Sequence, residues 1–384
     1  MPDLQLKTAV LGLDDAGKSL LDAAARLPYF HIVAVADTDA KLAEQTAGRY
    51  NCTGYDDYRQ LIISNQLDCL LVAAPIHTCA EYIKQAIKKK FNIFKLPPLA
   101  RDFAEAAQLV RLAEEHGVKF AVANTNRFTQ SFIDLKETLS QNDFDPGGPG
   151  LINAFCGPRD LPPQPREIGA QSSGGPPPIE SGSRDGEAGW QTDPKLAGGG
   201  VLINNAYQLI DTIICNFGLP GLVYSLNSNC AADKQQRSLL TEDTAILTMK
   251  FSDTLLGNLT ASRISAGNPD LSGTLTFYGK DRIVTASACR LTVSDGLGRL
   301  VRDSEYNYDK LQCLTKQLEN FGLHLLKPDK NPLISSAKEN LKNMAVIEAA
   351  YLSARTSMPE QPPRILPPQP RYIGAQSSGG SGVF

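Results

Sequence analysis

Two regimes of apolar patterning divide the chain. In the first, short uninterrupted apolar runs alternate with stretches whose apolar residues recur every three or four positions. The runs are KTAVLG (7–12), HIVAVAD (31–37), LDCLLVAAP (67–75), NIFKLPP (92–98) and VKFAVA (118–123). Helical patterns lie between them, through Leu20, Leu21 and Ala25, after Asp37, from Cys79 to about Lys90, and over 102–116. Strands apolar on both faces and separated by helices predict a parallel sheet covered on both sides. Residues 1–126 therefore read as a Rossmann-like, doubly wound domain of dinucleotide-binding type.

The second regime begins with a helix in SFIDLKETL and a strand in GLINAFC (150–156). After an interruption and a helix reaching Cys215, the runs LVYSLN, AILTMKF, LLGNLTASR, GTLTFYG, RIVTAS and RLTVSD follow one another with only polar turns between them. Consecutive strands joined in this way predict a mostly antiparallel open sheet. Helices over 307–323 and 335–355 are expected to fold back toward the first domain. The expected fold class is α/β, with a C-terminal α+β sheet domain over 127–357.

Patterning stops in two proline- and glycine-rich windows, an insertion at 157–189 and a tail at 358–384 expected to be an extended arm. The insertion carries LPPQPREIGAQSSGG (161–175) and the tail LPPQPRYIGAQSSGG (366–380), which differ only at Glu167 and Tyr372. Neither copy has an apolar period that a shared fold could preserve. Proline fixes φ, glycine loosens it, and Ser and Gln add no apolar surface, so each copy reads as a solvated segment that orders on a partner. Arg166 and Arg371 suit a carboxylate or an aromatic face, Ile168 and Ile373 a shallow pocket, and Gly169 and Gly374 a close backbone approach. Gln171, Gln376 and Tyr372 complete the candidate contact set. A repeated low-complexity linker has the same composition, and both readings stand at this stage.

A net charge of −3 and the lack of basic runs give no bias toward nucleic acid. No stretch approaches the eighteen uncharged apolar residues of a membrane span, and the N-terminus runs directly into a strand. The cytoplasm is the expected compartment. The eight cysteines occur singly, without CxxC or paired Cys/His spacing, as buried apolar side chains do in a reducing compartment. They suggest no metal site.

The first strand ends in GLDDAGKS (12–19), for which two motifs compete. As GxGxxG it keeps Gly12 and Gly17 but places Asp14 where the middle glycine would let the backbone approach a pyrophosphate. As GxxxxGK[ST] it matches a phosphate-binding loop through Gly12, Gly17, Lys18 and Ser19. Asp37, ending the second strand, stands where a dinucleotide fold holds ribose hydroxyls. The topology favours the dinucleotide type. A carboxylate at Asp14 facing phosphates would oppose binding by on the order of a few kcal/mol.

The order of motifs resembles the Gfo/Idh/MocA oxidoreductases over nearly all of 5–355 outside the insertion. The likeness rests on VAVADTDAKLAEQTAGRY, AAPIHTCAEYIKQAIKKKFNIFKLPPLA, GWQTDPKLAGGGVLINNAYQLID, EDTAILTMKF and AVIEAAYLSART. It implies NAD(P) chemistry and homo-oligomers formed through the open sheet. The resembled family carries an EKP triplet whose lysine bonds the substrate hydroxyl and the nicotinamide ribose; here the lysine position is Pro97. Lys95, two residues earlier, is displaced by roughly 6.6 Å, beyond the reach of proton transfer unless the strand end is rebuilt. The family's GGGxLxDxGxHxxD becomes GGGVLINNAYQLID (198–211), with Asn204 for the aspartate and Gln208 for the histidine. Neither amide titrates near neutral pH, so no member of the relay is left. Asp211 is expected to be a structural acid and His77 an incidental loop residue.

The reading that follows is a non-catalytic scaffold or linker without a cofactor. Its two arms would hold a protein assembly with repeated or symmetric sites, of which a phycobilisome-type antenna is one example. The alternatives are an NAD(P)-dependent oxidoreductase of unusual mechanism and a cofactor-sensing regulator that binds NAD(P) without turnover.

Overall fold

A computed structural model describes residues 5–141, 148–157, 190, 193–229, 241–263 and 273–367. In the first half, strands β1 (Leu6–Leu11), β2 (Phe30–Ala36), β3 (Thr53–Tyr55), β4 (Cys69–Val72), β5 (Asn92–Lys95) and β6 (Phe120–Val122) form an all-parallel sheet in the order β3-β2-β1-β4-β5-β6. That order is the doubly wound one, with its crevice where β1 and β4 part at their C-terminal ends. Helices α1 (Asp15–Ala25), α2 (Ala40–Tyr50), α3 (Tyr58–Ser64), α4 (Ile76–Lys88) and α5 (Phe103–Glu115) cover the faces. Asp14, Asp39, Asp57 and Asp102 cap α1, α2, α3 and α5 by accepting from first-turn amides, which fixes where each strand-to-helix turn ends.

Two elements here escape the apolar pattern. Strand β3 is three residues long and largely exposed, and α3 buries only Tyr58, Leu61 and Ile62. Helix α4 begins at Ile76, a turn before Cys79, so His77 belongs to its first turn and not to a loop.

After α6 (Gln130–Leu139), and with helices α7 (Pro194–Ala197), α8 (Val201–Asn204) and α9 (Tyr207–Phe217) beside it, the second half is an eight-stranded sheet. Its strands are β7 (Gly150–Cys156), β8 (Leu222–Ser228), β9 (Thr244–Lys250), β10 (Leu255–Ser262), β11 (Thr274–Tyr278), β12 (Arg282–Ala286), β13 (Arg290–Asp295) and β14 (Leu300–Glu305). They lie in the order β14-β13-β12-β11-β7-β10-β9-β8, antiparallel except for β7 beside β10. Strand β14 is almost wholly exposed, which is why no apolar run announces it. Helix α10 (Lys310–Leu326) buries Leu314, Leu318 and Phe321 in the cluster that also holds Leu20, Leu21 and Ala24 of α1. Helix α11 (Ala337–Thr356) contributes Leu341, Met344, Val346 and Ile347 to the cluster shared with β4, β5 and the second sheet. Both helices thus return to the first domain, as their positions predict.

The tail does not begin at 358. Glu360 exchanges both backbone hydrogen bonds with Val223 at 2.8 Å, helix α12 (Pro362–Ile365) follows, and Ile365 and Leu366 pack against the core. Proline at the start of α12 supplies the helical φ without losing a needed N–H, so a composition that reads as an arm serves as an edge cover. Of the repeat, only Leu366 and Pro367 are described. Arg166, Ile168, Gly169, Gln171, Arg371, Tyr372, Ile373, Gly374 and Gln376 lie outside the described residues. Among the described residues no helix is long and apolar enough to cross a membrane, and the seven described cysteines are free.

Candidate functional site at the crevice

The candidate residues fall on three segments: the turn after β1, the segment after β5, and the chain from Gly198 to Asp211. In the first of these, Gly12 has φ +87°, and a Cβ there would lie 2.5 Å from the Ala74 amide nitrogen. A Cβ on Gly17 would fall 2.0 Å from the Gly12 carbonyl oxygen. Both glycines are therefore demanded by the turn's own packing. The Gly17 amide donates to Asp14 Oδ1 at 2.8 Å. Asp37 is buried and accepts from the Leu13 amide at 2.7 Å and the Asp39 amide at 2.9 Å, one on each oxygen. Lys18 sits on the α1 surface 3.9 Å from Asp15, and the Ser19 hydroxyl donates to the Asp15 carbonyl, so neither faces a phosphate loop.

The turn does not fit a dinucleotide's pyrophosphate, which would meet the Asp14 carboxylate at the N-cap of α1.

Beyond β5, Lys95 is buried and donates to the carbonyls of Leu96 at 3.0 Å and Pro98 at 2.6 Å. Burial lowers its pKa, with Cys79 and Glu105 acting against that fall. The ammonium thus braces the Leu96–Pro97–Pro98 turn from beneath, and the strand end is not rebuilt to bring it to the crevice. Cys79 is buried too, its thiol pushed up by burial and donating to the Ile76 carbonyl. His77 stacks against Trp190, ring centroids 4.9 Å apart.

The segment after β5 runs into the glycine block. A Cβ on Gly198, at φ +77°, would lie 2.1 Å from the Arg101 carbonyl oxygen. One on Gly199 would lie 1.9 Å from the Tyr351 hydroxyl, and one on Gly200 2.0 Å from the Glu242 carbonyl oxygen. Three adjacent glycines thus let three separate elements converge. The buried Glu242 carboxylate accepts from the amides of Gly200 (2.7 Å) and Leu202 (3.0 Å) and from the Tyr351 hydroxyl (3.0 Å). Burial raises its pKa against those bonds.

Asn204, at the family's aspartate position, turns its amide onto the Gly199 and Gly200 carbonyls at 3.1 and 3.0 Å. Gln208, at the histidine position, is buried, and its side-chain oxygen accepts from the Thr125 hydroxyl. Asn126 reaches the Gln208 carbonyl and the Thr212 hydroxyl beside it. Asp211 is fully buried and takes a two-pronged bond from Arg127 at 2.8 Å on each oxygen, plus one from Asn343 at 2.9 Å. Arg127 continues to Glu339. Asp211 is thus the structural acid its spacing suggests. Sequence reasoning missed Arg127 and Glu242, whose partners are 84 and about 40 residues away. The one signal was an acid heading the strand AILTMKF.

Comparison with known proteins places this geometry. Residues 6–124 match the model of an oxidoreductase family with an NAD-binding Rossmann fold, and residues 180–361 match that family's C-terminal alpha/beta domain. The chain belongs to the Gfo/Idh/MocA oxidoreductase family. It is 27% identical over 173 residues to the uncharacterized oxidoreductase YrbE of Bacillus subtilis, covering 44% of this chain and 49% of that protein. It is 30% identical over 140 residues to inositol 2-dehydrogenase of Rubrobacter xylanophilus, covering 36% and 40%. The chain thus spans about half the length, or less, of these curated relatives. Its fold is similar to levoglucosan dehydrogenase in complex with NADH and levoglucosan, with TM-score 0.76, 17% identity and coverage of 94% and 100%. It is also similar to an oxidoreductase from Agrobacterium radiobacter in complex with NAD+, L-tartaric acid and magnesium, with TM-score 0.75, 15% identity and the same coverage.

Proposed function

We propose that this member of the family works by binding and not by turnover, as a carrier for the two LPPQPR[EY]IGAQSSGG segments, which dock a protein assembly with repeated or symmetric sites. The observation that carries the absence of turnover in this reading is the occupation of the relay positions, and the docking half rests on the repeated sequence. Pro97 has no proton to give, Asn204 is spent on two carbonyls, and Gln208 is buried against Thr125. A proton relay needs a titratable group within about 3 Å of the reacting hydroxyl, and these positions offer neutral groups with structural partners. The cytoplasm, a reducing compartment, would suit the seven free cysteines among the described residues. The carrier is also read as a homo-oligomer, supported by Leu151, Leu226, Ile246, Leu256 and Tyr278, which stand exposed on the open sheet.

The second reading is an NAD(P)-dependent oxidoreductase, favoured by the match of both family domains and by relatives that are dehydrogenases. Two assays separate the readings. Full-length protein is incubated with NAD+ or NADP+ and inositol or levoglucosan, and cofactor reduction is followed. In parallel, the full chain and a chain lacking 161–175 and 368–380, which keeps the core-packed Leu366, are used as bait in native lysate. The carrier reading expects no reduction, and one abundant complex recovered only with the repeats present. Cofactor reduction, or a complex recovered equally without the repeats, would overturn it.

A further inference from the structure

The misfit of the first turn with a dinucleotide can be traced to one side chain. We infer that Asp14 is the residue that keeps nicotinamide dinucleotides out of this crevice, its carboxylate taking the place on the α1 N-terminus that a pyrophosphate would occupy.

The backbone of the turn is preserved. Gly12 keeps the left-handed φ and the contact with Ala74, and Gly17 keeps its approach to the Gly12 carbonyl. Leu13 is buried, and the Ala73 amide bonds the Leu11 carbonyl at 2.8 Å, so β1 and β4 hold the turn from both sides. What differs is the occupant of the helix end. Partial positive charge and unsatisfied amides at a helix N-terminus attract phosphate, and here the Gly17 amide already donates to Asp14 Oδ1. The exposed Asp15 carboxylate one residue on is faced by the Lys18 ammonium at 3.9 Å, which leaves Asp14 as the unbalanced charge of the turn. Asp37 reinforces the turn by accepting the Leu13 amide, which ties the loop to the end of β2. The crevice is therefore intact in shape and closed in charge. The carrier reading is not needed for this inference.

The test is titration of NADH and NADPH into full-length wild type, Asp14→Gly, Asp14→Asn and Asp14→Ala, read by the fluorescence of the bound reduced cofactor. Thermal melts report that each variant is folded. Wild type is expected to show no saturable binding in the micromolar range. Asp14→Asn keeps a cap and removes the charge, and Asp14→Gly removes both. At least one of the two is expected to bind about tenfold or more tighter than wild type, a factor equal to about 1.4 kcal/mol. The gain of Asp14→Asn should shrink in high salt, because screening relieves the repulsion in wild type. Micromolar binding by wild type, or folded Asn and Gly variants that bind no tighter, would overturn the inference. Turnover gained by Asp14→Gly would support it while showing that the residues at 97, 204 and 208 do not by themselves abolish turnover, so the two failures are distinguishable.

Discussion

At Gly12–Gly17 and at Gly198–Gly200 the backbone makes approaches that only glycine permits, yet the residues beside the glycines have changed in different ways. In the first turn a carboxylate has been added where a small neutral residue would admit a phosphate. In the second block, two titratable positions carry neutral amides, and each amide has been given a structural bond. One region is altered by a charge on an otherwise unchanged frame; the other is altered by rewiring. The first alteration should be undone by one substitution at little cost in stability. The second should resist reversal, because the frame now depends on the replacements.

The largest effect should come from the rewired region. Arg127→Ala leaves Asp211 charged and fully buried with the Asn343 amide and the weak Cys215 thiol contact beside it, and should cost about 3–5 kcal/mol in urea unfolding. Gly200→Ala drives a Cβ into the Glu242 backbone and should cost about 3 kcal/mol. Gly218→Ala, where φ is +84° and ψ −174° but no atom lies within 4 Å, bears backbone strain alone and should cost about 1–2 kcal/mol. Equal losses at 200 and 218 would mean that convergence on the glycine block is not what holds it.

Asn204→Asp, which restores the family residue, would set a carboxylate against two carbonyl oxygens and should lower stability by about 1–3 kcal/mol. A neutral outcome would show that the second block is as reversible as the first. Glu242 gives a test of slope. Its folded pKa is raised by burial, so the folded state holds a proton that the unfolded chain releases more readily. Stability should therefore fall as pH rises from the ordinary glutamate value toward the raised one. Denaturation midpoints of Glu242→Gln across that window should lose the decline. The smallest change belongs to the first turn, where Asp14→Ala removes one cap bond and should cost about 1 kcal/mol.

Much of this was legible in the chain. Strand-and-helix alternation fixed the first sheet because β1, β4 and β5 are buried on both faces, and Asp211 was recognisable as structural from its spacing. The failures have physical causes. Strand β14 buries almost nothing, and β3 is three residues long, so neither leaves a period to detect. The Val223–Glu360 pairing rests on two backbone bonds, which side-chain chemistry does not encode. Arg127 and Glu242 act through partners far away in sequence, and their type alone names no role. The charge of Asp14 is legible in the motif, whereas its bond to the Gly17 amide depends on how the turn folds.

The docking of Glu360 against β8 sets a distance. The chain leaves the described core after Gly157, at the end of β7, and again after Pro367, just beyond α12. Strands β7 and β8 are three places apart in one sheet, so at about 4.8 Å per strand Cys156 and Glu360 stand roughly 20 Å from each other. Arg166 lies nine residues beyond Gly157 and Arg371 four beyond Pro367, so at no more than about 3.5 Å apiece the two guanidinium anchors can stand at most on the order of 65 Å apart. Any receptor that grips both copies of one molecule at once must present its two footholds within that ruler. An assembly whose repeat is longer would be bridged by two molecules instead of one.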